Sequence, residues 1–139
     1  MKRELADGYE LDDDPNRIDV DAVHAFISGE SYWGQGRPRA TVERLIRKAD
    51  RVVGLYKDDA QVGFCRAVTD EGACLAYLAD VYVLAAHRGR GLGLELVREM
   101  VDNGPLAENT WLLHTRDMHR LYAKVGFGLP GERLMERSS

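Results

Sequence analysis

One stretch limits what this chain can fold into more than any other: Val81-Tyr82-Val83-Leu84-Ala85-Ala86-His87-Arg88-Gly89-Arg90-Gly91-Leu92-Gly93-Leu94. An apolar run with strand character enters a turn that has glycines at 89, 91 and 93. It leaves as a helix, with Leu92, Leu96 and Met100 on one stripe, Val97 and Val101 beside it, and Asn103-Gly104-Pro105 as the stop. A helix start exposes unpaired backbone N–H groups and the positive end of the helix dipole. Glycines let a bulky phosphate approach those groups, and Arg88 and Arg90 add positive charge. The pattern predicts a phosphate or pyrophosphate site; a plain strand-to-helix connection is the alternative. Two familiar phosphate motifs do not fit. No Gly-Lys-Ser/Thr is present, and the glycine spacing is not Gly-x-Gly-x-x-Gly. The strand also follows a hairpin instead of opening a βαβ unit.

The flanking sequence builds a mixed sheet around this turn. Asp19 suits the cap of a helix carrying Val20, Val23 and Ile27 and stopped at Gly29. Pro38 suits the first turn of a second helix whose apolar face is Val42, Leu45, Ile46 and Ala49. Ser31-Tyr32-Trp33-Gly34-Gln35-Gly36-Arg37 joins them as a loop with exposed aromatics. Val52–Tyr56 and Val62–Val68 flank a polar turn and read as a hairpin. After a turn at Asp70-Glu71-Gly72, the run Leu75–Val83 is apolar on both faces except for Asp80, as a central strand would be. Trp111–His114 reads as a strand and Met118–Val125 as a short helix ending at Gly126. A last strand is expected near Arg133-Leu134-Met135-Glu136. The order β, α, α, β, β, β, α, β, α, β implies an α/β fold (mixed α+β).

The 139 residues suit one domain spanning 1–139, and a chain of this length buries a core without disulfides or a metal. A formal net charge of -4 argues against a general nucleic-acid binder, which needs a basic surface. No apolar stretch is long enough to span a membrane. Met1-Lys2-Arg3-Glu4-Leu5-Ala6-Asp7 carries charge where a signal peptide needs an apolar core, so a cytoplasmic protein is expected. Cys65 and Cys74 make no disulfide framework and have no zinc spacing, and no histidine pair has metal spacing. No metal is expected.

Two segments carry a family resemblance. Arg88-Gly89-Arg90-Gly91-Leu92-Gly93 resembles the Arg/Gln-x-x-Gly-x-Gly/Ala signature of the GNAT superfamily of N-acetyltransferases. Downstream, Leu121-Tyr122-Ala123-Lys124-Val125-Gly126-Phe127 resembles the superfamily's Leu-Tyr-x-Lys-x-Gly-Phe segment. The two stand in the family's order with a strand between them, and the element order of nearly the whole chain fits. Tyr32-Trp33 and Thr115-Arg116-Asp117 also look like features of one bacterial subgroup. The resemblance implies a central, mostly antiparallel sheet splayed between its fourth and fifth strands and flanked by about four helices.

It further implies acetyl-CoA as cosubstrate, with its pyrophosphate on the backbone amides of Arg88, Gly89, Arg90, Gly91, Leu92 and Gly93. The pantetheine arm would pair with the main chain of Val81, Tyr82 and Val83. A backbone N–H near Val81 would serve the developing oxyanion. Tyr122 lies where the family has its general acid; free thiols titrate near about 8.5 and phenols near about 10, so its hydroxyl can reprotonate the leaving thiolate. Asp80 is either the general base, raised by burial, or a structural carboxylate where the sheet splays. Ala79 stands where some amine-acetylating relatives carry a second acid, which weakens a polyamine assignment. Thr115 replaces the asparagine that relatives often use against CoA. His114 and His119 flank the same region as proton relays or packing groups.

The loop between the first two helices overhangs the acceptor site in this fold. Tyr32 and Trp33 would line it and Arg37 would attract a carboxylate, unless Trp33 packs beneath the loop. The resemblance implies a primary amine as acceptor, on a small molecule or a protein, and homodimers are common among relatives. A CoA-binding module without catalysis is the rival reading. A small nucleic-acid binder using the Arg88/Arg90 turn is a third.

Overall fold

Asp58 and Asp59 take φ of 50° and 68°, so two residues suffice to reverse the chain between β3 (Arg51–Lys57) and β4 (Ala60–Thr69). This hairpin is the middle of a six-stranded sheet. The remaining strands are β1 (Lys2–Glu4), β2 (Tyr9–Asp12), β5 (Leu75–Val83) and β6 (Thr110–Leu112). The helices are α1 (Val20–Gly29), α2 (Arg39–Lys48), α3 (Leu92–Val101) and α4 (His119–Ala123). The computed structural model describes residues 1–71 and 73–139. Gly72, in the turn expected at Asp70-Glu71-Gly72, lies outside them.

The strands lie in the order β1-β2-β3-β4-β5-β6. All neighbours are antiparallel except β5 and β6, which run parallel. Alternation along the strands divides the core between two faces. Val53, Leu55 and Cys65 pack on one side against Leu92, Leu96, Val97 and Met100 of α3. Val52, Phe64 and Tyr82 pack on the other against Phe26, Ile27, Val42 and Ile46 of α1 and α2. Phe26 stacks flat on Tyr82, with centroids 4.0 Å apart. Each such large apolar side chain contributes about 1.5–3 kcal/mol by leaving water.

Helix α3 is tied at its far end by charge. Arg51, 6% exposed, donates to the carbonyls of Glu99 and Met100 at 2.8 and 3.1 Å and to Asp13 Oδ2 at 3.1 Å. Buried Glu99 accepts from Arg3 Nε at 2.8 Å. These contacts satisfy late helix carbonyls and a buried carboxylate. They hold the axis whose first turn bears the glycines.

Two features of β5 make the site. Its pairing with β6 covers only Leu75–Tyr77 against Thr110–Leu112. From Leu78 to Val83 its outer edge has no strand partner among the described residues, so the sheet opens between these segments as expected. β5 is also bulged: Tyr82 faces Phe64 and Ala79 faces Arg66, so Asp80 and Val81 together oppose Cys65. Asp80 takes the extra residue's conformation, with φ of 54°, which a short polar side chain tolerates better than most.

Two expectations change. The single strand ahead of the helices is a pair, β1 and β2, reversed at Asp7 and Gly8 with φ of 62° and 80°. The strand expected at Arg133–Glu136 is absent: this segment forms no ladder, and Leu134 and Met135 are 48% and 91% exposed. Adjacent apolar residues there give no alternating face for a sheet to bury.

Candidate active site

The glycine turn is shaped for its backbone. Gly89 and Gly91 have φ of 81° and 77°, and a Cβ on either would meet nothing within 4 Å. Their requirement is therefore conformational, and the space before them is open. Gly91 precedes α3 without any side-chain cap, which leaves the first amides of that helix unspent. Arg90 is exposed at the rim. These groups fit a pyrophosphate. Gly93 differs, since a Cβ there would come within 3.2 Å of Leu121 Cδ1; its bareness lets α4 approach α3. Leu92 and Tyr82 are buried by their side chains, so each has only main chain to offer a ligand. Arg88 turns back, and its Nε donates to the Val83 carbonyl at 2.8 Å.

Across the opening stands Tyr122, 9% exposed, its ring edge-on to Phe127. Among the described residues its hydroxyl has no hydrogen-bond partner. Burial pushes the phenol up to about 12, with the nearby charge of Asp117 acting the same way. Tyr122 lines a cavity of about 360 Å³ together with Tyr32, Trp33, Arg37, Arg66 and Asp80. It also lines a wider hollow of about 1310 Å³ bounded by β6, α4 and residues 126–136. His114 and Thr115 border both spaces. The Thr115 hydroxyl accepts the Met118 N–H at 3.0 Å and so shapes the entry to α4.

Asp80 is the meeting point of the acceptor side. Its Oδ1 accepts from Trp33 Nε1 at 2.8 Å. Arg37 Nη1 straddles both oxygens at 3.3 and 3.1 Å. Arg66 Nε reaches Oδ2 at 2.6 Å. With both oxygens engaged by cations and an indole, this carboxylate is an anchor before it is a base. The carboxylate that Arg37 meets is thus one from its own chain. Trp33, 39% exposed, has its ring against Phe26 and Tyr32 and borders the cavity. The Tyr32 hydroxyl accepts the Arg116 N–H at 3.1 Å, and the Arg116 guanidinium lies 3.9 Å from its ring centroid.

Arg66 and Tyr77 escaped the reading of the sequence. Arg66 had a visible signal, as the one charged residue in the apolar run Val62–Val68. Tyr77 had none. Its hydroxyl meets His114 Nδ1, and His114 Nε2 meets Glu136, so these three form a chain leading from the cavity to solvent. Among the described residues no group of three or more His, Cys, Asp or Glu side chains is placed to hold a metal ion. No described helix is long and apolar enough to cross a membrane.

Comparison with known proteins shows the family and the fold. Residues 48–128 match the family described as the acetyltransferase (GNAT) domain. A solved GNAT-family acetyltransferase from Xanthomonas campestris is 34% identical, with a TM-score of 0.87 over 94% of this chain and 93% of that one. A Gibberella zeae protein described as an acetyltransferase is 29% identical over 85% of this chain and 78% of its own. A Deinococcus radiodurans acetyltransferase, 20% identical, shares the fold with a TM-score of 0.72 over 99% of this chain and 94% of its own.

Proposed function

Since the chain belongs to the GNAT acetyltransferase family, we propose that it moves an acetyl group from acetyl-CoA to a primary amine, which attacks while both substrates are bound. One observation carries this reading. The unpaired stretch of β5 that runs on into the glycine turn, with its unspent amides, lines at Leu78–Val81 the same cavity as Tyr122, whose hydroxyl has no hydrogen-bond partner among the described residues. Acetyl-CoA supplies an activated acetyl group on a thioester.

The protein's own groups do the rest. Amides from Arg88 to Gly93 hold the pyrophosphate, and the open edge of β5 near Val81 receives the arm. An N–H in the bulge donates to the carbonyl oxygen as charge builds on it. The Tyr122 hydroxyl protonates the departing sulfur; burial keeps it a phenol at any ordinary pH. Asp80 holds Trp33, Arg37 and Arg66 in place and accepts no proton. The proton from the amine passes to Tyr77, whose own proton goes to His114, and Glu136 balances the imidazolium.

The test is amine-dependent release of CoA thiol over a panel of primary amines. The expected result is saturable release with at least one amine. In the His114→Gln variant, kcat should fall while the acetyl-CoA Kd is kept. Acetyl-CoA binding without thiol release for any amine contradicts the enzyme and leaves a CoA-binding module.

A further inference from the structure

We infer that the acceptor amine carries a second, anionic group, a carboxylate or a phosphate, seated on Arg37 and Arg66. This rests on the transferase reading and names the substrate class of that site. Arg37 comes from the loop between α1 and α2, and Arg66 from β4, yet both converge on one carboxylate, Asp80. Two guanidinium cations thus share a single anion. Their side chains are 21% and 12% exposed, so neither charge is fully solvated. A surplus cation held in a half-dry cavity is costly, and a second anion offsets that cost.

The donors for such an anion are present. A guanidinium has five N–H groups in a fixed fork that suits carboxylate and phosphate oxygens. Arg37 engages Asp80 through Nη1 only, and Arg66 through Nε only. Among the described residues no other hydrogen bond takes up either group. Both line the cavity of about 360 Å³. That volume lies at the small end of the roughly 300–1,000 Å³ seen for small-molecule sites, which suits a metabolite better than a protein tail.

An opposite charge borders the same cavity beside Tyr122. Asp117 is exposed, lines the same cavity and acts on Tyr122. It suits an ammonium group waiting beside the general acid. The cavity is bipolar, and an amine with an anion at its far end matches both poles.

The test uses matched primary amines: propylamine, 1,3-diaminopropane, 3-aminopropanoate and 3-aminopropylphosphonate. Binding to the CoA-loaded protein is read by calorimetry, and turnover by thiol release. One good charge-assisted fork contributes enough for about a tenfold preference. The carboxylate or phosphonate amine should therefore bind at least about tenfold more tightly than propylamine, and the better of the two identifies the anion. Arg37→Met should remove most of that preference, and Arg37→Lys should restore part of it. Equal or tighter binding of propylamine or the diamine overturns the inference while leaving the transferase intact. An anion preference that survives both Arg37→Met and Arg66→Met, each folded by circular dichroism, also overturns it. Selective binding of the anionic amines with no thiol release supports the anion site and overturns the transferase reading instead.

Discussion

On the α3 side the site consists of main chain, with glycines at positive φ, uncapped helix amides and an open strand edge. On the α1–α2 side it consists of side chains, where Trp33 and Arg37 from the loop between α1 and α2 and Arg66 from β4 gather on Asp80. A main-chain cradle depends on chain shape and recognises what all users of one cosubstrate share. A side-chain cluster depends on residue identity and can change with the acceptor. Tyr122 borders the acceptor cavity from α4, the helix that Gly93 lets approach α3, so it joins the two halves.

Substitutions that strike one half and spare the other sharpen this contrast. The largest effect belongs to the joint. Tyr122→Phe should lower kcat by about 10²–10⁴-fold, the usual range for a general acid, with the acetyl-CoA Kd unchanged. An equal fall in affinity would make the hydroxyl a binding group instead. Next is Asp80→Asn, which suits the left-handed backbone but removes the one anion between two cations. It should cost about 2 kcal/mol in urea unfolding, below the figure for a fully buried pair because the cavity mouth is wet. Acetyl-CoA affinity should persist in this variant; its loss would show that the two halves are coupled.

Gly91→Ala strikes the other half. Moving an L-residue to φ of 77° costs about 1–2 kcal/mol, so acetyl-CoA should bind about tenfold more weakly. Global stability should fall by no more than that strain.

The smallest effect is alkaline. Burial holds Tyr56 and Tyr122 up to about 12, against 10.0 ordinarily, and Cys65 up to about 12, against 9.0. Tyr82 shifts upward too. In the unfolded chain these groups ionise at their ordinary values, while in the fold they stay neutral. Their contribution is therefore complete below about pH 8 and is lost as pH rises toward 12. The urea midpoint should fall between pH 8 and 10.5. Main-chain amides do not titrate, so acetyl-CoA affinity should hold wherever the protein stays folded.

The same contrast explains what the sequence disclosed. The glycine turn and the Leu121–Phe127 segment are local patterns, visible because shape and spacing are written in adjacent residues. The β3–β4 hairpin and the faces of α1, α2 and α3 follow from periodicity for the same reason. The acceptor side is not local: Trp33 and Arg37 meet a carboxylate 47 and 43 positions away. No pattern along the chain records that pairing, although a lone arginine in an apolar strand and a lone aspartate in another hinted at it. The strand misjudged at Arg133–Glu136 had apolar residues without alternation, and the N-terminal pair of strands turns on Asp7, whose left-handed conformation no composition rule announces.

The most direct test of the account is a calorimetric titration of the protein with acetyl-CoA beside its Gly91→Ala variant. The account predicts one saturable site at or below about 1 mM, the upper end of ordinary substrate affinities, weakened in the variant. No binding at millimolar acetyl-CoA, or equal binding by both proteins, would contradict it.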